Sequence, residues 1–412
     1  MKKVVSLLVA AVMVMSCAML AGCGSAKQES GTQTQTEEKS AGKSKSDIKI
    51  GFICLHDENS TYDKNFIDAA NAAKKSLGLS DSQVMFKTNI PESNECYEAA
   101  ASLVDAGCDI VFADSFGHED FMIQAAKEFP DVVFAHATGT KAHTEKLPNF
   151  YNAFASIYEG RFLAGVAAGL KINEMIESGK ITADQTKMGY VGAYPYAEVV
   201  SGYTAFFLGI QSIVPNVTME VSYTNSWFDI TMEGAAADAL MADGCVIIGQ
   251  HADSTGAPSA VQAAFEKGNV AYSIGSNVDM LSVAPDAALT SATNNWGVFY
   301  KYAFSTMLKG EKLATNWAEG FNSDAVAITE LGKSCAAGTA EKVAEVEKQL
   351  RDGTLHVFDT SKFTVGGEHL DSYDKSYGFE GHELISDGYF HESELRSAPA
   401  FDIRIDGIKE LA

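Results

Sequence analysis

From residue 48 onward, short apolar runs alternate with longer amphipathic stretches. Runs rich in β-branched and aromatic residues at 48–55, 83–87, 109–113 and 132–135 have the length of strands, and the segments between them, 63–77, 93–105 and 119–128, read as helices. An apolar helix is predicted over 158–170, and a second alternation follows it. Its strands fall at 187–192, 218–223, 246–250, 270–275 and 288–292, and its helices at 201–213, 232–241, 257–267 and 298–308. After Gly310 the pattern loosens to a strand at 325–329, a helix at 340–352 and a Gly/Asp/His-rich tail with few periodic signals. Strand–helix–strand alternation dictates parallel strands with helices on both faces. The expected fold is therefore α/β, with two doubly wound Rossmann-like lobes joined by crossover segments. The first lobe is placed at 48–155 plus about 290–320, and the second at 156–289 plus about 321–412.

One stretch organises this pattern. Ser222 to Asp229 (SYTNSWFD) closes an alternating strand and precedes an Ala-rich helix. It thus sits at the carboxyl end of a strand, where open α/β sheets bind ligands. Trp227 and Phe228 put flat rings there, and Asp229 serves either as a helix cap or as a ligand acceptor.

Other strands end in similar clusters of rings, hydroxyls, amides and carboxylates: Tyr62 and Asp63; Ser115 and Phe116; Tyr194 and Glu198; Asp253; Asn277 and Asp279; and Trp296. Rings sandwich a planar ligand, while carboxylates and amides read its polar edge. Each cluster alone equally suits caps and turns. Together they form the candidate ligand-binding set, and closure of the two lobes on a ligand is the expected motion.

The amino terminus changes the picture. Lys2 and Lys3 precede an apolar run that ends in Leu20-Ala21-Gly22-Cys23. That is a signal peptide over 1–22, too short in its apolar part for a spanning helix. The ending resembles a bacterial lipobox, which implies lipidation of Cys23 and anchorage at the outer face of the cell membrane. Residues 23–47, rich in Ser, Thr, Gln, Gly and Lys with almost no large apolar residues, read as a flexible tether. Of the other cysteines, Cys54, Cys108 and Cys245 lie in apolar contexts and read as small core residues, and no CxxC spacing is present.

Composition narrows the class. The chain has 412 residues, 46% hydrophobic and 21% charged, which is globular and long enough for two domains. With 31 basic and 54 acidic side chains the formal charge is −23, which disfavours nucleic-acid partners. GxSxG, HExxH, P-loop and EF-type patterns are absent, so neither an enzyme nor a metal or cofactor site is expected.

Five segments carry a family resemblance: Phe112–Gly139 (FADSFGHEDFMIQAAKEFPDVVFAHATG), Tyr158–Gly169 (YEGRFLAGVAAG), Asn225–Asp229 (NSWFD), Gln250–Ser254 (QHADS) and Thr293–Gly297 (TNNWG). The chain resembles the basic-membrane-protein lipoproteins, purine-nucleoside-receptor-type substrate-binding proteins of ABC importers. The resemblance implies a periplasmic-binding-protein type I-like fold, and a monomer is expected. It also implies a purine ligand and delivery to an ABC permease. In that family an aromatic at the position of Trp227 stacks on the purine, with Phe116 or Tyr62 as candidates for the second ring. The family's ribose-binding aspartate corresponds to Asn277, and a lysine near the next strand end corresponds to Asn294. The SFG, WFD, QHADS and NWG segments look more like a subgroup taking a free base such as adenine. A receptor coupled to a membrane sensor would use the same cleft.

Overall fold

The computed structural model describes residues 43–411, so the leader and Cys23 lie outside the described residues. The first run of elements is β1 (Ile50–Ile53), α1 (Thr61–Leu77), β2 (Val84–Lys87), α2 (Asn94–Asp105), β3 (Ile110–Ala113), α3 (Glu119–Glu128), β4 (Val133–Ala137), α4 (Ala142–Glu145) and β5 (Phe150–Ala153). The chain then crosses through α5 (Ile157–Glu177). The second run is β6 (Lys187–Gly192), α6 (Ala197–Gln211), β7 (Thr218–Tyr223), α7 (Ile230–Ala242), β8 (Ile247–His251), α8 (Gly256–Glu266), β9 (Tyr272–Ser276) and β10 (Ala288–Asn294). Helix α9 (Trp296–Leu308) returns to pack on α1, and β11 (Asn316–Trp317) extends the first sheet beside β5. A third crossing leads to β12 (Val326–Ile328), antiparallel to β10, and to α10 (Thr339–Arg351), which packs on α5. A hairpin of β13 (Ile385–Ser386) and β14 (Tyr389–Phe390) precedes β15 (Ile408–Glu410), which pairs with β7.

The first sheet runs β2-β1-β3-β4-β5-β11 and the second β15-β7-β6-β8-β9-β10-β12, parallel throughout except for β12. This is the α/β class expected, with two lobes. Both sheets share the doubly wound order 2-1-3-4-5, so their switch points fall between β1 and β3 and between β6 and β8. Strand β10 lies wholly in the second sheet, so the chain recrosses at Asn294–Asn295, a few residues beyond 290.

Sequence chemistry explains the local geometry. Ser60 caps α1 by accepting from the Asp63 amide at 3.3 Å, and Gly78 ends the helix at φ 64°, a backbone conformation that favours glycine. Helices α5 and α6 touch backbone to backbone: a Cβ on Gly209 would stand 2.1 Å from the Phe162 carbonyl oxygen. That approach lets α5, apolar on nearly every face, serve as the buried spine of the second lobe. Cys54, Cys96, Cys108 and Cys245 are buried and unbridged, as small core residues. No helix among the described residues is long and apolar enough to cross a membrane.

The tail corrects the impression of a loose end. Phe358, Phe363, Phe379, Phe390 and Phe401 are all buried, and Phe358 stacks on Phe401 with ring centroids 4.2 Å apart. Its apolar residues have no period because irregular backbone, rather than helix or strand, places them. Strand β15 is tied down by Glu410, which accepts hydrogen bonds from the hydroxyls of Tyr203 (2.8 Å) and Tyr223 (2.6 Å).

Three glutamates couple this packing to pH. Glu159 accepts from the Phe321 amide, Glu233 from the Asp229 and Ser254 amides, and Glu392 from the Ala400 and Phe401 amides. Burial nevertheless pushes each of them up to about 7. An unfolded glutamate titrates near ~4.3, so between these values the folded chain holds more protons and stability falls as pH rises. Thermal unfolding should therefore occur at a higher temperature at pH 5 than at pH 8, with Glu392→Gln reducing the difference. A melting temperature that climbs from pH 5 to pH 8 would contradict this reading.

Candidate functional site

The carboxyl ends of the central strands converge on a slot between the two lobes. Hydrogen bonds to backbone carbonyls draw the lobes together there: the Thr61 amide donates to the Asp253 carbonyl at 2.8 Å, and Asn65 Nδ2 donates to the Asn294 carbonyl at 3.1 Å. His56 and Phe228 add a ring contact across the cleft at 5.6 Å. The slot is tight. Its free volume is about 20 Å³.

Rings from both lobes face it, Tyr62 and Phe116 from the first and Trp227 from the second. Tyr62 is held by its hydroxyl, which donates to the Asp114 carbonyl at 2.9 Å. Trp227 is half-buried, edge-on to Tyr194 with centroids 5.2 Å apart. Its carbonyl accepts from the Asp253 amide at 2.8 Å, which locks the Trp227 loop to the end of β8. Asp229 caps α7, accepting from the Thr231 and Met232 amides, so its carboxylate serves the helix.

The polar lining is acidic with one cation in its midst. Burial alone would raise Asp63, but hydrogen bonds from His56 and Ser60 hold it below the ordinary carboxylate range. Asp253 is held well above that range, first by burial and then by the charges of Asp63, Glu233 and Glu198. Beneath the slot, burial and the charge of Asp63 likewise raise Asp114. The slot thus sets Asp63, whose surroundings favour the ionised form, beside Asp253, whose surroundings favour the protonated form. Asn277 Nδ2 donates to Asp253 Oδ1 at 3.3 Å, from a left-handed backbone conformation at φ 67° that asparagine tolerates. Arg161 of α5 is buried and donates to the Gln250 carbonyl (2.7 Å) and to Ser276 Oγ (2.9 Å). His251, lowered to about 4 by burial and by Arg161, is neutral at physiological pH and faces Glu198 at 3.4 Å. Among the described residues, one trio has potential metal-ligand atoms within 4.8 Å of one another: Cys54, Asp63 and Asp114. Its carboxylates already accept from Leu55, His56 and Ser60, so local donors account for much of the cluster.

The structure brings together Tyr62, Asp63, Ser115, Phe116, Glu198, Trp227, Asp253 and Asn277. Ser115 spends its hydroxyl on Glu92 at 2.6 Å. Three other expected residues stand elsewhere. Trp296 is 1% exposed and stacks on Phe66 at 4.2 Å, a core residue that anchors α9 to α1. Asp279 is exposed and accepts from the Leu281 amide in a turn. Tyr194 lies behind Trp227 rather than on the slot. Sequence reasoning passed over Thr138, Phe154 and Arg161, which also line it, as do His251 of the QHADS segment and Asn294. Arg161 had a visible signal, a lone charge between Gly160 and Phe162 at the start of an apolar helix.

Two doubly wound parallel lobes closing on a slot at their switch points define a two-lobed solute-binding protein. Residues 53–357 match the Bmp family, described as PnrA-like ABC transporter substrate-binding proteins, and the chain belongs to that family. A purine-binding protein from Brucella abortus is 33% identical over 335 residues, covering 79% of this chain and 89% of that one. A Haloferax volcanii protein provisionally named an ABC transporter glucose-binding protein is 32% identical, covering 62% of this chain and 60% of that one. Among solved structures, an ABC transporter solute-binding protein from Aeropyrum pernix superposes with a TM-score of 0.64 at 16% identity, over 78% of this chain and 94% of that one. That likeness concerns the fold. These relatives are named as solute-binding proteins rather than enzymes.

Proposed function

We propose that this protein is a lipid-anchored, extracytoplasmic receptor that captures a purine base or purine nucleoside in the interlobe slot and delivers it to an ABC importer. The observation that carries the reading is the convergence of rings from both lobes on one tight slot with an acidic, hydrogen-bonding floor. A purine fits this chemistry. Its faces stack on rings, its exocyclic amine donates to an ionised carboxylate such as Asp63, and its ring nitrogens accept from a protonated acid such as Asp253. The engagement of Asn277 with Asp253 favours a free base over a nucleoside. The purine-binding relative supports the same ligand class. The protein acts as a monomer, with neither cofactor nor catalytic step.

A thermal-shift panel of adenine, guanine, adenosine, guanosine and D-glucose tests the ligand class. A ligand of the folded state raises stability by about 2.7 kcal/mol at a hundredfold excess over Kd. At least one purine should stabilise the protein while glucose does not, and stabilisation by glucose alone would sink the proposal. The anchor is tested separately. Cys23→Ala should leave the protein unprocessed or release it from the membrane fraction. A variant retained in that fraction at its usual size would show that Cys23 is not the anchor.

A further inference from the structure

A second cavity adjoins the slot. Phe116, Thr138 and Glu198 line both spaces, and its outer wall comes from the tail, through Tyr377, Arg396 and Asp402. The chamber is far roomier, with about 400 Å³ of free volume against about 20 Å³ in the slot. Its rings are unusually exposed. Six large hydrophobic side chains are exposed among the described residues, and three of them, Phe116 (37%), Tyr196 (43%) and Tyr377 (66%), are aromatics on this one chamber. Phe116 and Tyr196 stack on each other across the lobes at 5.4 Å, beside the passage shared with the slot. Exposed rings gathered around a concave space are a stacking surface for a ligand.

The polar groups define which ligand. Both arginines of the chamber are held in place by protein acceptors. Arg396 donates to the carbonyls of Tyr377, Ala398 and Pro399, and Arg404 donates to Glu410 and to the carbonyls of Asp402 and Pro195. The carboxylates of Glu198 and Asp402 line the same space. The exposed ring of Tyr377 offers a planar ligand a stacking face. The tail that supplies Tyr377 lies beyond residue 357, where the family match ends.

We propose that the chamber is a second ligand subsite, which holds one neutral planar heteroaromatic ring against Tyr377 next to the slot. This rests on the solute-binding reading of the cleft but not on the identity of its ligand. Benzimidazole is a suitable probe because it has a flat bicyclic ring without the pyrimidine nitrogens and exocyclic amine of adenine. Calorimetric titrations of wild type, Tyr377→Ala and Trp227→Ala with benzimidazole and with adenine separate the two sites. Loss of a stacking ring typically costs a base about tenfold or more in affinity. Tyr377→Ala should weaken benzimidazole about tenfold and leave the tight adenine event unchanged, while Tyr377→Phe binds benzimidazole as wild type does. Tyr377 is exposed, so its removal leaves the core intact. The proposal is overturned if wild type binds no benzimidazole at millimolar concentration, or if Tyr377→Ala binds it as wild type does. Should benzimidazole bind through Tyr377 while adenine does not bind at all, the chamber stands and the purine assignment of the slot falls.

Discussion

Trp227→Ala should weaken the binding of adenine and of adenosine alike, by roughly ten- to a hundredfold. Loss of one aromatic face from a stacked base costs about 1–3 kcal/mol in proteins that hold bases by stacking. Trp227 is half-buried, lines the slot and leans edge-on against Tyr194, so the alanine variant removes a ligand face without opening the core. The loss should be uniform across purines because a ring face does not distinguish base edges. Isothermal titration of wild type and variant with both ligands checks it, with far-ultraviolet circular dichroism as a control for folding. Equal affinities in the two proteins would make Trp227 a packing residue of the Tyr194–Tyr196 cluster and remove it from the site.

A larger effect on stability is expected at Arg161. Its guanidinium is buried, bonded to the Gln250 carbonyl and to Ser276 Oγ, and surrounded by Asp253, Glu198 and His251. Arg161→Met keeps much of the volume and removes the charge and its donors. The Gln250 carbonyl then loses a buried partner, and the acids at the slot lose their nearby cation. Removing one member of a buried charged set costs about 3–5 kcal/mol. Urea unfolding at pH 7 should show a loss of that order. A loss below about 1 kcal/mol would show that Arg161 does not organise the slot.

The alternation of strand and helix was legible because parallel strands buried on both faces read as continuous apolar runs. The motif ends at Ser115–Phe116, Trp227 and Asp253 were legible for the same reason, since the last residues of such runs mark the carboxyl edge of a sheet. Trp296 misled because a ring at a strand end also serves as the first core residue of the next helix, and α9 needs it to seat on Phe66. His251 stood in the QHADS segment at the end of β8 but could not be told in sequence from a buried structural histidine. The tail was opaque because its phenylalanines are spaced by irregular turns, yet it closes the chamber and carries Tyr377. Pairing between distant positions, such as Asn277 with Asp253 or Thr61 with the Asp253 carbonyl, leaves no trace in local periodicity.

The central claim is that a purine lies in the interlobe slot between rings contributed by both lobes. A crystal structure of the protein grown with adenine tests it most directly. The account predicts a planar density against Trp227, with its edge within hydrogen-bonding distance of Asp63 and Asp253. An ordered adenine bound outside the slot, or a slot left empty at saturating adenine, would contradict it.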